Sequence, residues 1–408
     1  MRFQTLDNKK QCVGIYFNDQ LIFGEIPSGL SRTWSYSEFL DNSDIQYAQL
    51  YCAGQNLSDV CPDHLRDKWE RIRGRLRAHY RSLSISKIDL DEHCFYDMVP
   101  EKFLYDFCEI KDQITEWVFE NYERPANYDF LDSLNRICTR LSGEELKLNF
   151  SALRDQRHIS KVRDFTKKYS GRPQHCKYNV FGTKTGRLTT VPNSFPILTM
   201  PKDYRRIIEP HNDWFLELDY NAAELRTVLA LSGMEQPEGD IHEWNIENIF
   251  NGKLTRDEAK TNIFAWLYGS NLSTIDGDTA QTIRETLSKV YRKEAIVRQH
   301  WTGTHVRTRY GRTIPSDHHH ALSYIIQSTT VDLTLRRFLE LDTLLAETNS
   351  RVAFTLHDSV VIDLSDSDRS LVPRMVEIFG NTELGHFRTN VSAGKNFGEM
   401  KPLRLPTK

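Results

Sequence analysis

Two short carboxylates sit in apolar company. WFLELDY places Asp219 at the end of an alternating run, and FTLHDSVVID places Asp358 after His357 amid Phe, Leu, Val and Ile. Burying an unpaired carboxylate costs several kcal/mol. If the two runs are neighbouring strands, the carboxylates converge and repel, and divalent cations relieve the repulsion. A pair of such cations suits in-line phosphoryl transfer, because it neutralises both the attacking and the leaving oxygens. The plainer reading is that each aspartate caps a strand or a turn.

A third stretch favours the first reading. TRDEAKTNIFAWLYG spaces Arg256, Lys260, Phe264 and Tyr268 four apart. On a helix these four form one slowly drifting stripe. Two cations at its start can hold a triphosphate, and two aromatics at its end can stack a base or a sugar. An ordinary amphipathic helix would turn the aromatics to the core and the cations to water. Cations and aromatics on one stripe argue against that. No nucleophilic Ser or Cys is needed, since phosphoryl transfer rests on positioning and charge stabilisation. His318, His319 and His320, in SDHHHAL, read as a solvated turn rather than a metal site.

The elements that must position these residues are legible in part. Residues 1–60 alternate and are punctuated by Gly and Pro, as short strands are. Residues 62–82 read as a basic helix, and 98–170 as several amphipathic helices. Residues 181–201 form an ordered loop. WFLELDYNAAELRTVLAL changes from strand to helix midway. Helices are expected over 254–270, 279–299, 321–348 and 371–384, and a hairpin over 351–364. Strands mixed with segregated helices give an α+β fold class.

The chain has 408 residues, 39% hydrophobic and 27% charged, so two to four subdomains are expected. The net charge of −3 does not announce a polyanion partner. Two basic segments lie within it, Arg71 to Arg81 and Arg154 to Arg172; each is either a solvated helix face or a polyanion contact. Seven scattered cysteines without a CxxC pair suggest neither a zinc site nor a disulfide framework, and fit a reducing, cytosol-like compartment. No apolar run is long enough for a membrane span, and MRFQTLDNKKQ lacks the core of a signal peptide.

These residues resemble the family A DNA polymerases, relatives of bacterial DNA polymerase I. LDYNAAELR resembles that family's first palm motif, RDEAKTNIFAWLYG its fingers helix, and TLHDS its His-Asp-Glu motif. TKTGRLTTVPN, GDIH, YGRTIP with YIIQSTTVD, and AGKNFGE resemble flanking segments in the same order. The similarity spans about 176–398.

The resemblance implies a right hand of palm, fingers and thumb behind a small N-terminal α/β module. Its segments would be 1–97 for the module, 98–175 mostly thumb, 176–235 palm, 236–330 fingers and flanking helices, and 331–408 palm again. Asp219 and Asp358, with the Tyr220 backbone, would bind two Mg²⁺ ions, for which Mn²⁺ can substitute. Arg256, Lys260 and His242 would hold the triphosphate of an incoming dNTP. Phe264 would pack on its sugar and base, and Tyr268 would gate the templating base. Glu224 would reject a ribose 2′-hydroxyl. Arg187, Gln327, His357 and Arg312 would contact the end of a primer–template DNA. Basic residues of the thumb helices would track duplex phosphates.

The implied function is template-directed DNA synthesis, of the compact kind found in phage replication, in the cytoplasm of a host cell. The alternatives are a single-subunit RNA polymerase, against which Glu224 speaks, and a catalytically inactive, polymerase-shaped DNA-binding scaffold. Ser359 replaces the family's usual Glu, leaving a third carboxylate missing. YNAAE replaces the usual Tyr-Ser-Gln-Ile-Glu, trimming contacts beside the metals. The short stretch from Gly269 to Tyr310 implies reduced fingers. Residues 1–150 hold no Asp-x-Glu of a 3′–5′ exonuclease, and Asp89-Leu-Asp91 is the nearest approximation. The module would therefore be an inactive remnant or a docking surface for a separate exonuclease or processivity factor.

Overall fold

The computed structural model describes residues 1–6, 14–40, 44–88, 90, 93–269 and 277–404. Cys12, Asp89 and Asp91 lie outside the described residues. The chain forms two compact units, Met1–Arg140 and Leu141–Lys408.

The first unit opens with an antiparallel sheet of β1 (Gln4–Thr5), β2 (Gly14–Phe17) and β3 (Gln20–Phe23). Asn18 and Asp19 join β2 to β3 with positive φ at both positions, the backbone that a two-residue primed turn requires. Helices α1 (Asp63–Ile85) and α2 (Glu101–Asn121) follow, and they pack on one another. Phe103, Leu104, Phe107, Ile110, Ile114 and Val118 recur at helical spacing on α2. They are buried with Leu6, Tyr16, Trp34, Trp69 and Ile72 in one core. The compact units divide at Arg140 rather than near residue 97, because α2 completes the core of the N-terminal unit. Helix α3 (Tyr128–Gly143) runs across the division.

The second unit is built on an antiparallel sheet. Helix α4 (Ser160–Tyr169) comes first, then β4 (Trp214–Tyr220) and helix α5 (Ala223–Leu231). Helices α6 (Ile241–Asn248), α7 (Arg256–Leu267), α8 (Gly277–Tyr291) and α9 (Lys293–His300) follow. The single helix expected over 279–299 is broken at Arg292, which takes a left-handed φ of 39°. The long helix α10 is His318–Leu345. Its first turn is His318–His320, capped by Asp317, so the expected solvated turn is a solvated helix start. Then come β5 (Arg351–Leu356), β6 (Ser359–Leu364), α11 (Val372–Gly380), β7 (Thr389–Gly394) and β8 (Lys401–Pro402).

The sheet order is β5-β6-β4-β7-β8. β4 is central, and its Phe215, Leu216 and Leu218 are buried. α10 packs on α5, α11 and β5. A separate core joins α5 and the start of α10 to α6–α9, through Leu225, Ile241, Ile263, Trp266, Tyr291 and Ile325. A rigid central strand and a helix layer on its own core thus meet beside residues 219–224.

Candidate active site

Strand pairing brings the two aspartates together. Asp219 lies opposite Ser359 on β6 and opposite Asn390 on β7. Leu356 pairs with Ser359, so His357 and Asp358 are the two-residue loop of the β5–β6 hairpin. The loop needs a left-handed residue, and His357 supplies it with a φ of 54°. At the other edge of the site, Ala222 is left-handed at 53° where β4 gives way to α5. Such backbone costs an L-residue about 1–2 kcal/mol and gathers at functional sites.

A cavity of about 330 Å³ opens here. Asp219, Tyr220, Glu224, His242, Arg256, Lys260, Phe264, Arg187, His357 and Asp358 line it, drawn from β4, α5, α6, α7, the hairpin and, for Arg187, the loop before β4. Three sequence candidates do not line it. Tyr268 lies one turn beyond Phe264, and the two rings stack with centroids 6.2 Å apart. Its hydroxyl donates to Glu224 Oε2 at 2.7 Å, while Arg187 Nη2 donates to Oε1 at 2.7 Å. Glu224 is thereby held at both oxygens. Burial, then the Glu224 charge, pushes the Tyr268 hydroxyl far up, so it stays a donor. Gln327 is half-buried on α10, one turn before the lining residue Thr330. Arg312 is turned inward: its Nε and Nη2 fork onto Asp332 at 2.8–2.9 Å, and Asp332 is fully buried. Its face also closes on Gly186, where a Cβ would stand 2.5 Å from the guanidinium carbon. Arg312 braces the loop that carries Arg187.

The electrostatics are divided. Burial first, then the charges of Asp358 and Glu217, pushes the Asp219 carboxyl up to about 7, against a hydrogen bond from Asn390. A divalent cation would reverse that penalty, so the donor set fits one. Among the described residues no three His, Cys, Asp or Glu side chains already converge on a point. On the far wall the groups are cationic. Burial, then Arg256, holds the His242 imidazole below its usual range. The cavity thus sets acids against Arg256 and Lys260, as metal-assisted handling of a polyphosphate requires.

Ser359 is buried, and its hydroxyl donates to Leu356 O at 3.2 Å. Glu217 stands two residues before Asp219, hence on the same face of β4, and accepts from Ser392 Oγ at 3.2 Å. Sequence reasoning missed Glu217, Asn390, Asn221 and Asp240. Asn390 needs the strand register to be seen, whereas the alternation of WFLELD already put Glu217 on the face of Asp219. Asp240 carried a local signal, since an Asp ahead of IHEWNIEN is a helix cap.

Residues 151–399 match the model of DNA polymerase family A. The chain belongs to that family. The DNA polymerases of Mycobacterium phages D29 and L5 are each 26% identical to it over 219 residues. Those matches take in 47% and 48% of this chain, and 35% and 36% of the relatives. The chain thus spans about a third of the length of these curated relatives. Among solved structures, it is similar to the polymerase domain of Pol1 from M. smegmatis in complex with DNA primer-template and dNTP. The TM-score is 0.57 at 13% identity, over 73% of this chain and 76% of that one. The fold is the right hand of family A polymerases, and β4, β6 and the hairpin loop lie within the matched residues.

Proposed function

We propose that this chain extends a DNA primer on a template by adding dNTPs, in phage-type replication. One observation carries the reading: Asp219 and Asp358 face Arg256, Lys260 and His242 across one cavity on the family A fold. The sheet with β4 and β6 would be the palm, α6–α9 the fingers, and the basic helices ahead of them the thumb. Asp219, Asp358 and the Tyr220 carbonyl would hold divalent ions, Mg²⁺ by preference. The ions would supply Lewis-acid activation of the primer hydroxyl and neutralise the leaving pyrophosphate.

The chain's own groups do the rest. Arg256, Lys260 and His242 bind the triphosphate oxygens from α6 and α7. Phe264 closes on the sugar and base. Glu224, held at both oxygens, presents a rigid wall where a 2′-hydroxyl would sit. Arg187 and His357 line the side on which a primer end would lie, with Gln327 one turn of α10 before the lining residue Thr330. Arg312 acts at one remove, through the Gly186 loop.

Primer extension with Mg²⁺ and dNTPs tests this. Asp219→Ala and Asp358→Ala are each expected to lose on the order of 10³-fold in rate while the protein stays folded. Extension surviving either change would refute the metal assignment. No extension by the unsubstituted protein with any divalent ion would leave a DNA-binding scaffold. Substantial use of rNTPs would favour an RNA polymerase.

A further inference from the structure

The turn after the catalytic strand holds a side chain that the family resemblance does not account for. Asn221 stands where a serine is usual, and it is buried. Within YNAAE, Asn221 makes contacts of its own. Asn221 Nδ2 donates to Asp240 Oδ2 at 2.8 Å. Asn221 Oδ1 accepts from Ile241 N at 3.0 Å and Arg226 Nη2 at 3.2 Å. A serine lacks both the reach and the second polar atom.

Asp240 is divided between two tasks. Its Oδ1 caps α6, accepting from His242 N and Glu243 N. Its Oδ2 takes Asn221 and, at 2.9 Å, Arg256 Nη2. Arg226, fully buried, donates to Asn221 O, Pro237 O and Gly239 O, and so fixes the segment that delivers Asp240. An unbroken set of hydrogen bonds therefore runs from the residue after Tyr220 to the first residue of the cationic helix. Arg256 is otherwise half-exposed. A free arginine loses much rotamer freedom on binding, and a prior anchor removes that loss. One guanidinium N–H is spent on Asp240, which leaves the others for a ligand.

We propose that Asn221 and Asp240 are positioning residues that preset Arg256 for the triphosphate and tie α7 to the strand carrying Asp219. The proposal rests on the polymerase reading above. Neither side chain need touch the nucleotide.

The test is dNTP binding to the protein on a dideoxy-terminated primer–template with Mg²⁺, by titration calorimetry, beside KM and kcat on an extendable primer. Asp240→Asn keeps the cap acceptor but replaces the Oδ2 that Arg256 and Asn221 share. It should weaken dNTP binding and raise KM by about tenfold, with kcat at saturation little changed. Asn221→Ser should act in the same direction, and the double substitution should add little to Asp240→Asn alone. In an Arg256→Ala background Asp240→Asn should have almost no further effect. Unchanged dNTP affinity in both single variants overturns the proposal. So does an Asp240→Asn effect that persists without Arg256, since the residue would then act through the fold. If Asp240→Asn does not fold, Asn221→Ser carries the test. Binding without extension by the unsubstituted protein refutes only the polymerase reading; no binding refutes both.

Discussion

At the residue scale, the two aspartates differ in surroundings although they share a cavity. Asp219 is fixed on the central strand and pushed up to about 7 by burial and its acidic neighbours. Asp358 is on a hairpin loop at the cavity wall. Glu217 is the unforeseen neighbour. Its negative charge repels Asp219 but would attract a cation held there. Glu217→Gln should raise the Mg²⁺ concentration for half-maximal extension by about three- to tenfold, with the rate at saturating Mg²⁺ nearly kept. An unaltered metal requirement would make Glu217 a bystander. Ser359 has no such part, because its hydroxyl is spent on the hairpin's own backbone.

At the element scale, the site depends on a buried ion pair that touches none of the proposed ligands. Asp332 on α10 is fully buried, and Arg312 is 12% exposed. Burial pushes the Asp332 carboxyl up, and Arg312 only partly offsets it. Removing one member strands the other in a medium it cannot tolerate. Arg312→Ala should therefore cost about 3–5 kcal/mol and lower the melting temperature by about 10 °C. An unchanged melting temperature would show Arg312 free to serve DNA directly, as the sequence suggested. The stripe on α7 divides in the same concrete way. Arg256, Lys260 and Phe264 reach the cavity, while Tyr268 is drawn off to Glu224.

At the scale of the whole molecule, charge is distributed rather than absent. On α1, Arg66, Lys68, Arg73 and Arg75 are paired with acids, while Arg71, Arg77 and Arg81 are exposed. In the second unit Arg154, Arg157, Lys161, Arg163, Lys167, Lys168 and Arg172 are exposed. Six or more phosphate contacts would make primer–template affinity fall by about 10³ or more between 50 and 200 mM salt. A flat salt dependence would return these segments to solvated surface. The N-terminal unit is proposed to lack nuclease chemistry. Purified protein with Mg²⁺ and no dNTP should leave a labelled primer intact. Degradation that an Asp89 change abolishes would sink that prediction.

Much of the site was legible in the sequence because its signals are local. A strand-to-helix switch at 214–231 and a four-residue spacing on one helix survive without knowledge of neighbours, and the hairpin at 351–364 declares itself. The helical pattern of residues 98–121 was also legible, but not its allegiance, since a stripe of Phe, Leu and Ile does not say which core receives it. Only the tertiary structure set Asn390 and Ser359 on either side of Asp219, turned Arg312 inward and joined Asn221 to Asp240 and Arg256. Register and long-range hydrogen bonds are pairings between segments far apart in the chain. A sequence specifies the partners' chemistry, whereas their meeting is decided by how whole elements pack.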